Sequence, residues 1–341
     1  EVEELGLVRD QLPWPLVVPH VPIYFQFVSH VLLLCLMLAA SLIDIDEKII
    51  PDEITVPGTV IGLLLATLVP MSLLPNVTER PRPSVVGDEI QTAAGDHALG
   101  SFGAPLWLEP VTAVAPRAWP PEWAELRCWP LLLVAVASYL AWCFALAPRI
   151  WRGRRGWRQG LRLIAARVWR EYRRPPLSRL VNFGVLAICL LWLLVGPAGR
   201  AGLLTALIGL VASGAIVWAV RLSGGWALRR EAMGFGDVTL MMMIGTFLGW
   251  QACLLLFFIA PFAGLAVGLL QLVLRRDDEI PYGPFLCLAA GVVVVCWADV
   301  WKWAAPLFGL GWLVPAVMIV CVVLLGMVLA IWQLIKATLF R

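Results

Sequence analysis

Two carboxylates are placed where they could do chemistry. Asp237 follows Gly234-Phe235-Gly236 at the entrance to a long apolar run. Asp44 ends an earlier apolar run and opens the stretch Asp44-Ile45-Asp46-Glu47-Lys48-Ile49-Ile50-Pro51-Asp52. An acid at the edge of a membrane helix is expensive to keep unless it is used. Two aspartates brought together at a partly dry surface cannot both ionise easily. They share a proton, so one can act as base and the other as acid on a water that attacks a peptide carbonyl. That chemistry calls for no metal and no cofactor. Gly234 and Gly236 would let the backbone bend and approach an extended peptide closely. The plainer reading of the motif is a glycine loop in which Asp237 caps the following helix.

Other chemistries have little to stand on. The three histidines (His20, His30, His97) are scattered. The eight cysteines, at 35, 128, 143, 189, 253, 287, 296 and 321, show no CxxC spacing and read as buried small hydrophobes. No metal-ligand pattern is present.

The elements that must position the two acids are membrane helices. The chain has 341 residues, 61% hydrophobic and only 14% charged, with its apolar residues gathered in long uncharged blocks. The blocks predict an all-α, polytopic bundle of about nine spans: Ile23–Ile43, Ile54–Leu74, Leu131–Ala147, Leu180–Val195, Leu203–Val220, two within Val238–Leu274, Phe285–Trp301 and Leu313–Leu334. The run Val238–Leu274 would extend about 55 Å as one helix, too long for a hydrocarbon core of about 30 Å. A turn near Gly249-Trp250-Gln251 is therefore expected.

Five regions follow from this reading. Residues 1–21 form a Pro-rich surface segment. Residues 22–74 carry two spans and the first acidic loop. Residues 75–129 are an irregular insertion, Pro-rich, with seven acids against four arginines. Its Asn76-Val77-Thr78 fits a glycosylation sequon that chance readily supplies. Residues 130–222 hold spans three to five, and residues 223–341 hold the glycine motif and the last four.

Within the fourth region, residues 149–179 carry eleven arginines and one acid. Trp157, Leu161, Ile164, Ala165, Val168 and Tyr172 recur there at helical spacing, which predicts a basic amphipathic helix on an anionic cytoplasmic leaflet rather than a nucleic-acid site. With this loop set in the cytoplasm by the positive-inside rule, span counting puts Asp44 and Asp237 on that same face and the insertion outside.

Three segments then resemble the prepilin peptidases, the type IV leader peptidase family of membrane aspartic proteases. Asp44–Asp52 resembles the family's first-aspartate loop, Gly234-Phe235-Gly236-Asp237-Val238 its GxGD motif, and Glu279-Ile280-Pro281-Tyr282-Gly283-Pro284-Phe285 a third segment. The order agrees, and with the surrounding spans the resemblance covers roughly residues 22–340 around one large insertion.

It implies that Asp44 and Asp237 are the catalytic aspartates, without metal or cofactor. Asp46, Glu47 and Asp52 become loop acids, Asp52 being open to a helix-capping role as well as a substrate role. Pro281 and Gly283 shape the wall of the site. The implied reaction removes a short basic leader from a prepilin or pseudopilin at the cytoplasmic side of a bacterial inner membrane, for a type IV pilus or type II secretion.

Three features depart from the family pattern. The paired CxxC motifs that accompany methyl transfer in many members are not in these residues, Thr239 stands where a basic residue is common, and the aspartates are unusually far apart in sequence. A transporter with functional carboxylates is the alternative reading, but its acids would lie at mid-membrane on broken helices. Trp250, Trp301, Trp303 and Trp312 are expected in an interfacial belt, and Met241, Met242 and Met243 as core filling.

Overall fold

The computed structural model of the chain describes residues 20–76, 110–115, 129–146, 170, 172, 175–228, 233–274, 281–311 and 313–339. The basic amphipathic helix expected around Trp157–Val168, Val77 and Thr78 of the sequon, Glu279 and Trp312 lie outside the described residues.

Among the described residues the fold is all-α. Its helices are α1 (His20–Glu47), α2 (Asp52–Leu68), α3 (Trp129–Leu146), α4 (Pro175–Leu194), α5 (Pro197–Leu228), α6 (Gly236–Leu274), α7 (Gly283–Val295), α8 (Trp297–Phe308) and α9 (Leu313–Leu339). Five of them are long and apolar enough to cross a membrane, and α7 with α8 makes a sixth candidate if the bent pair counts as one span. The protein is thus a multi-pass membrane bundle. Large apolar side chains such as Leu133, Phe183, Leu193, Phe262 and Ile319 are exposed on its outside, where lipid is their natural partner.

The first stretch of α6 is the centre of the bundle. Every residue from Asp237 to Gly249 is buried, between α5, α2 and α7. Close approach to α5 depends on small residues: a side chain on Gly209 would strike the carbonyl of Gly245, and one on Gly245 the carbonyl of Gly209. Such small-residue crossings let helix backbones pack tightly in lipid. On the other side a Cβ on Gly58 of α2 would meet Met243. Met241, Met242 and Met243 are all buried, as core filling requires.

The turn expected near Gly249 is present. Gly249 has φ +80° and ψ 170°, a conformation that side-chain-bearing residues rarely adopt. Trp250 donates to the carbonyl of Ala113 at 2.9 Å, whereas Gly264 lies against Phe285, two residues from the aspartate site. The second stretch of α6 therefore runs back toward the aspartates.

Three boundaries differ from the sequence reading. α1 runs four residues beyond Ile43, so Asp44, Ile45, Asp46 and Glu47 are helical and the true loop is Lys48–Pro51. α2 stops at Leu68 because Pro70 disfavours helix at Val69, and a short 3-10 turn, Pro70–Ser72, follows. The span expected over Phe285–Trp301 breaks after Val295, where α8 bends away from α7 by 93°.

α8 buries Trp297, Ala298, Trp301, Ala304, Ala305 and Phe308 and exposes Lys302 and Trp303. It closes the end of the bundle opposite the aspartates. Trp297 donates to the Pro75 carbonyl at 2.7 Å and Trp301 to Asn76 Oδ1 at 2.8 Å. Gln251 donates to the Thr112 carbonyl at 2.8 Å and Val111 to the Leu74 carbonyl at 2.8 Å. The start of the insertion and its 110–115 stretch are thereby pinned to the helices. Trp301 is fully buried and hydrogen-bonded, so it is an anchor rather than part of an interfacial belt; Trp303, 70% exposed, suits the belt.

Candidate active site

Asp44 continues a buried stripe on α1. Gln26, Ser29, His30, Leu33, Met37 and Ala40 precede it at three- and four-residue steps, one face of a helix, and all are buried. That periodicity turns Asp44 inward while Asp46 and Glu47 face out. The helix ends because Lys48 takes a left-handed conformation, φ 56°, with its N–H donating to the Asp44 carbonyl at 2.9 Å.

Asp237 sits in the first turn of α6. The Phe235 carbonyl accepts from Val238 at 3.0 Å and from Thr239 at 3.2 Å. Asp237 is therefore not the cap of this helix; its carboxylate accepts a hydrogen bond from the backbone N–H of Gly234. Thr239 is buried and its hydroxyl donates to the Gly236 carbonyl at 3.0 Å.

The two aspartates come together although 193 positions separate them in sequence (237 − 44). Asp44 is 4% exposed and Asp237 6%, and the charge of Asp44 acts directly on Asp237. The Asp44 carboxylate accepts from the backbone N–H of Gly283. Its Oδ2 is buried with no hydrogen-bond partner among the described residues. A buried acceptor of this kind is costly unless something else donates to it.

The glycines of the three segments make this meeting possible. A Cβ on Gly283 would collide with Asp44 Oδ2 and press on Ile50, 3.0 Å away. A Cβ on Gly236 would lie 2.8 Å from Ile50 Cβ. Ile50, 7% exposed, is thus the floor on which both glycine segments rest. Gly234 is exposed, and a Cβ added there would meet Asp237 Oδ2 at 3.5 Å, an ordinary contact. Pro281 is half-buried beside Tyr282. Asp52 is exposed at the first position of α2, where Pro51 holds the cap position, so Asp52 does not cap; with Glu53 it puts negative charge in the first turn, as the helix dipole favours.

Sequence reasoning missed three neighbours. Arg221, one residue past the span expected over Leu203–Val220, is on α5, and its charge acts on Asp237 in the sense opposite to that of Asp44. Tyr282 lies close enough to Asp237 to feel its charge; burial first and then that charge push its phenol up to about 12. It stays protonated and can donate. Cys287 of α7, beside Ser41 of α1, lies within electrostatic reach of both aspartates. None of the three had a spacing signal, because each is brought in by packing. No group of three or more His, Cys, Asp or Glu that could hold a metal ion occurs among the described residues.

Comparison with known proteins bears on both aspartate segments. The family model described as "Type IV leader peptidase family" matches residues 31–78, which include Asp44, and 177–269, which include Asp237. The match stops short of Glu279–Phe285 and is narrower than residues 22–340, over which the three segments and their spans resemble the family. Several curated relatives carry the name prepilin leader peptidase/N-methyltransferase. The chain is 32% identical over 101 residues to the one from Aeromonas hydrophila, covering 28% of this chain and 33% of the relative. It is 34% identical over 121 residues to that of Pseudomonas aeruginosa, covering 34% and 41%. It is 37% identical over 73 residues to that of Legionella pneumophila, covering 20% and 25%. The chain matches about a third of the length of the first of these relatives. No solved structure matches.

Proposed function

We propose that the chain is a membrane aspartic endopeptidase that removes the basic leader from a prepilin or pseudopilin. The observation that carries this reading is the buried pair Asp44 and Asp237, delivered by α1 and α6 inside the two segments that match the family. The names of the relatives supply the substrate class.

In the proposed reaction the two carboxylates hold one proton between them. The ionised member takes a proton from water, and the water oxygen bonds to the scissile carbonyl carbon. The protonated member gives its proton to the carbonyl oxygen. The tetrahedral adduct collapses as the amide nitrogen takes a proton, the C–N bond breaks, and the leader leaves with a new carboxylate. The unpartnered Oδ2 of Asp44 is the acceptor suited to orient that water. Tyr282 supplies a donor for the developing oxyanion.

The substrate's hydrophobic helix would lie among the spans, with its leader at the exposed acids Asp46, Glu47 and Asp52. In this reading the aspartate end faces the cytoplasm of a bacterial inner membrane with an anionic cytoplasmic leaflet, and the pinned insertion faces outside. The protein purified into liposomes, incubated with a full-length prepilin, should release the leader by one cut before the hydrophobic helix. A prepilin left intact, while a known prepilin peptidase cuts it under the same conditions, would refute the assignment.

A further inference from the structure

The Gly234–Asp237 motif is not held by its own helix alone. Arg221 lies near the end of α5, half-buried, seven residues before that helix stops. Its Nε donates to the carbonyl of Met233 at 2.9 Å. Its guanidinium carbon sits 5.6 Å from the centroid of the Phe235 ring. One side chain thus grips the residue before Gly234 and the residue after it. A guanidinium suits both tasks, because its planar fork fixes a hydrogen bond while its face lies on an aromatic ring. Its charge also reaches Asp237.

The charged and titratable groups that face Asp237 can be named element by element. α1 supplies Asp44, α5 supplies Arg221, the segment before α7 supplies Tyr282, and α7 supplies Cys287. Among the described residues, Arg221 is the cation in this set. The Gly234 N–H that bonds the Asp237 carboxylate belongs to the same short segment that Arg221 holds. The position of Asp237 and the field it feels are therefore both tied to one residue on a neighbouring helix.

We propose that Arg221 is the positioning residue of the Asp237 segment: from α5 it locks Met233 and Phe235 in place and supplies the positive charge that offsets Asp44 at Asp237. This rests on the peptidase reading above and adds the residue that tunes it. Arg221 touches no substrate in this account; it acts through Asp237.

The test is cleavage of a full-length prepilin by the purified protein in liposomes, with kcat and KM followed across pH for wild type, Arg221→Gln and Arg221→Lys. Gln removes the charge and the fork, whereas Lys keeps the charge alone. For Arg221→Gln, kcat should fall about tenfold, with KM changed less than about twofold, and the alkaline limb of the profile, set by the proton that Asp237 holds, should move up by about one pH unit, because a carboxyl group that loses a neighbouring cation gives up its proton less readily. For Arg221→Lys the limb should stay with wild type while kcat falls about threefold from the lost fork.

Wild-type kcat and limb in Arg221→Gln would overturn the proposal. So would equal kcat losses in both variants with an unmoved limb, since that marks a merely structural role. If Arg221→Gln does not fold, Arg221→Lys decides: wild-type kcat, or a displaced limb, overturns it. An inactive wild type defeats the peptidase reading instead, so the two failures are distinguishable.

Discussion

Gly283 lies so close to Asp44 that a methyl group in place of its hydrogen would overlap the carboxylate. Gly283 also donates its backbone N–H to that carboxylate. One residue thus defines both the space around the acid and part of its hydrogen bonding. Gly283→Ala is expected to cost about 1–3 kcal/mol through overpacking against Asp44 and Ile50. Cleavage should fall more steeply than stability, because the displaced atom is the Asp44 Oδ2 that is to orient water. Thermal unfolding and prepilin cleavage measured side by side check this; full activity would show that the contact is not needed.

Asp46 and Glu47 are exposed beside the site, on the outer face of the last turn of α1. If they guide a basic leader, Asp46→Lys with Glu47→Lys should lower kcat/KM on a lysine-rich leader about tenfold at low ionic strength, and less at high salt. A substrate with a neutral leader should be cut as well as by wild type. Initial rates at two salt concentrations separate these cases, and equal processing of basic leaders by variant and wild type would remove the guiding role.

Tyr282 gives a pH-dependent signature. Its phenol is raised from the ordinary value of 10.0 to about 12, by burial and then by Asp237. In the unfolded chain it would ionise near 10, so between these values the unfolded state loses a proton that the folded state keeps. The contribution is present in full below pH 10 and is lost as pH rises toward 12. Tyr282→Phe removes this titration. Unfolding midpoints of the variant should fall less between pH 9 and 11 than those of wild type. At neutral pH, kcat should fall about tenfold if the phenol is an oxyanion donor. An unchanged kcat would limit Tyr282 to packing.

Much of this arrangement was legible in the sequence, and the reasons are physical. Apolar runs of twenty residues admit few conformations in a bilayer, so the all-α bundle followed from hydropathy. The turn at Gly249 followed from the excess length of Val238–Leu274. Asp44 and Asp237 were singled out because acids at helix ends are costly.

What escaped was set by packing. Nothing in the run up to Ile43 announced that helix would persist through Glu47, since termination came from the backbone of Lys48 rather than from the charges. Trp301 looked like an interfacial residue because the 93° bend after Val295 has no proline or glycine at the bend to mark it. Arg221, Tyr282 and Cys287 reach the aspartates from three other elements, with no shared spacing to reveal them.

The central claim is that Asp44 and Asp237 act as one unit on one water. The most direct test is prepilin cleavage by Asp44→Asn, Asp237→Asn and the double variant, each confirmed to be folded in liposomes. Residues that act as a unit are strongly non-additive. Each single substitution is expected to abolish cleavage to the same floor, and the double variant to fall no further. Cleavage retained by either single variant would contradict the claim.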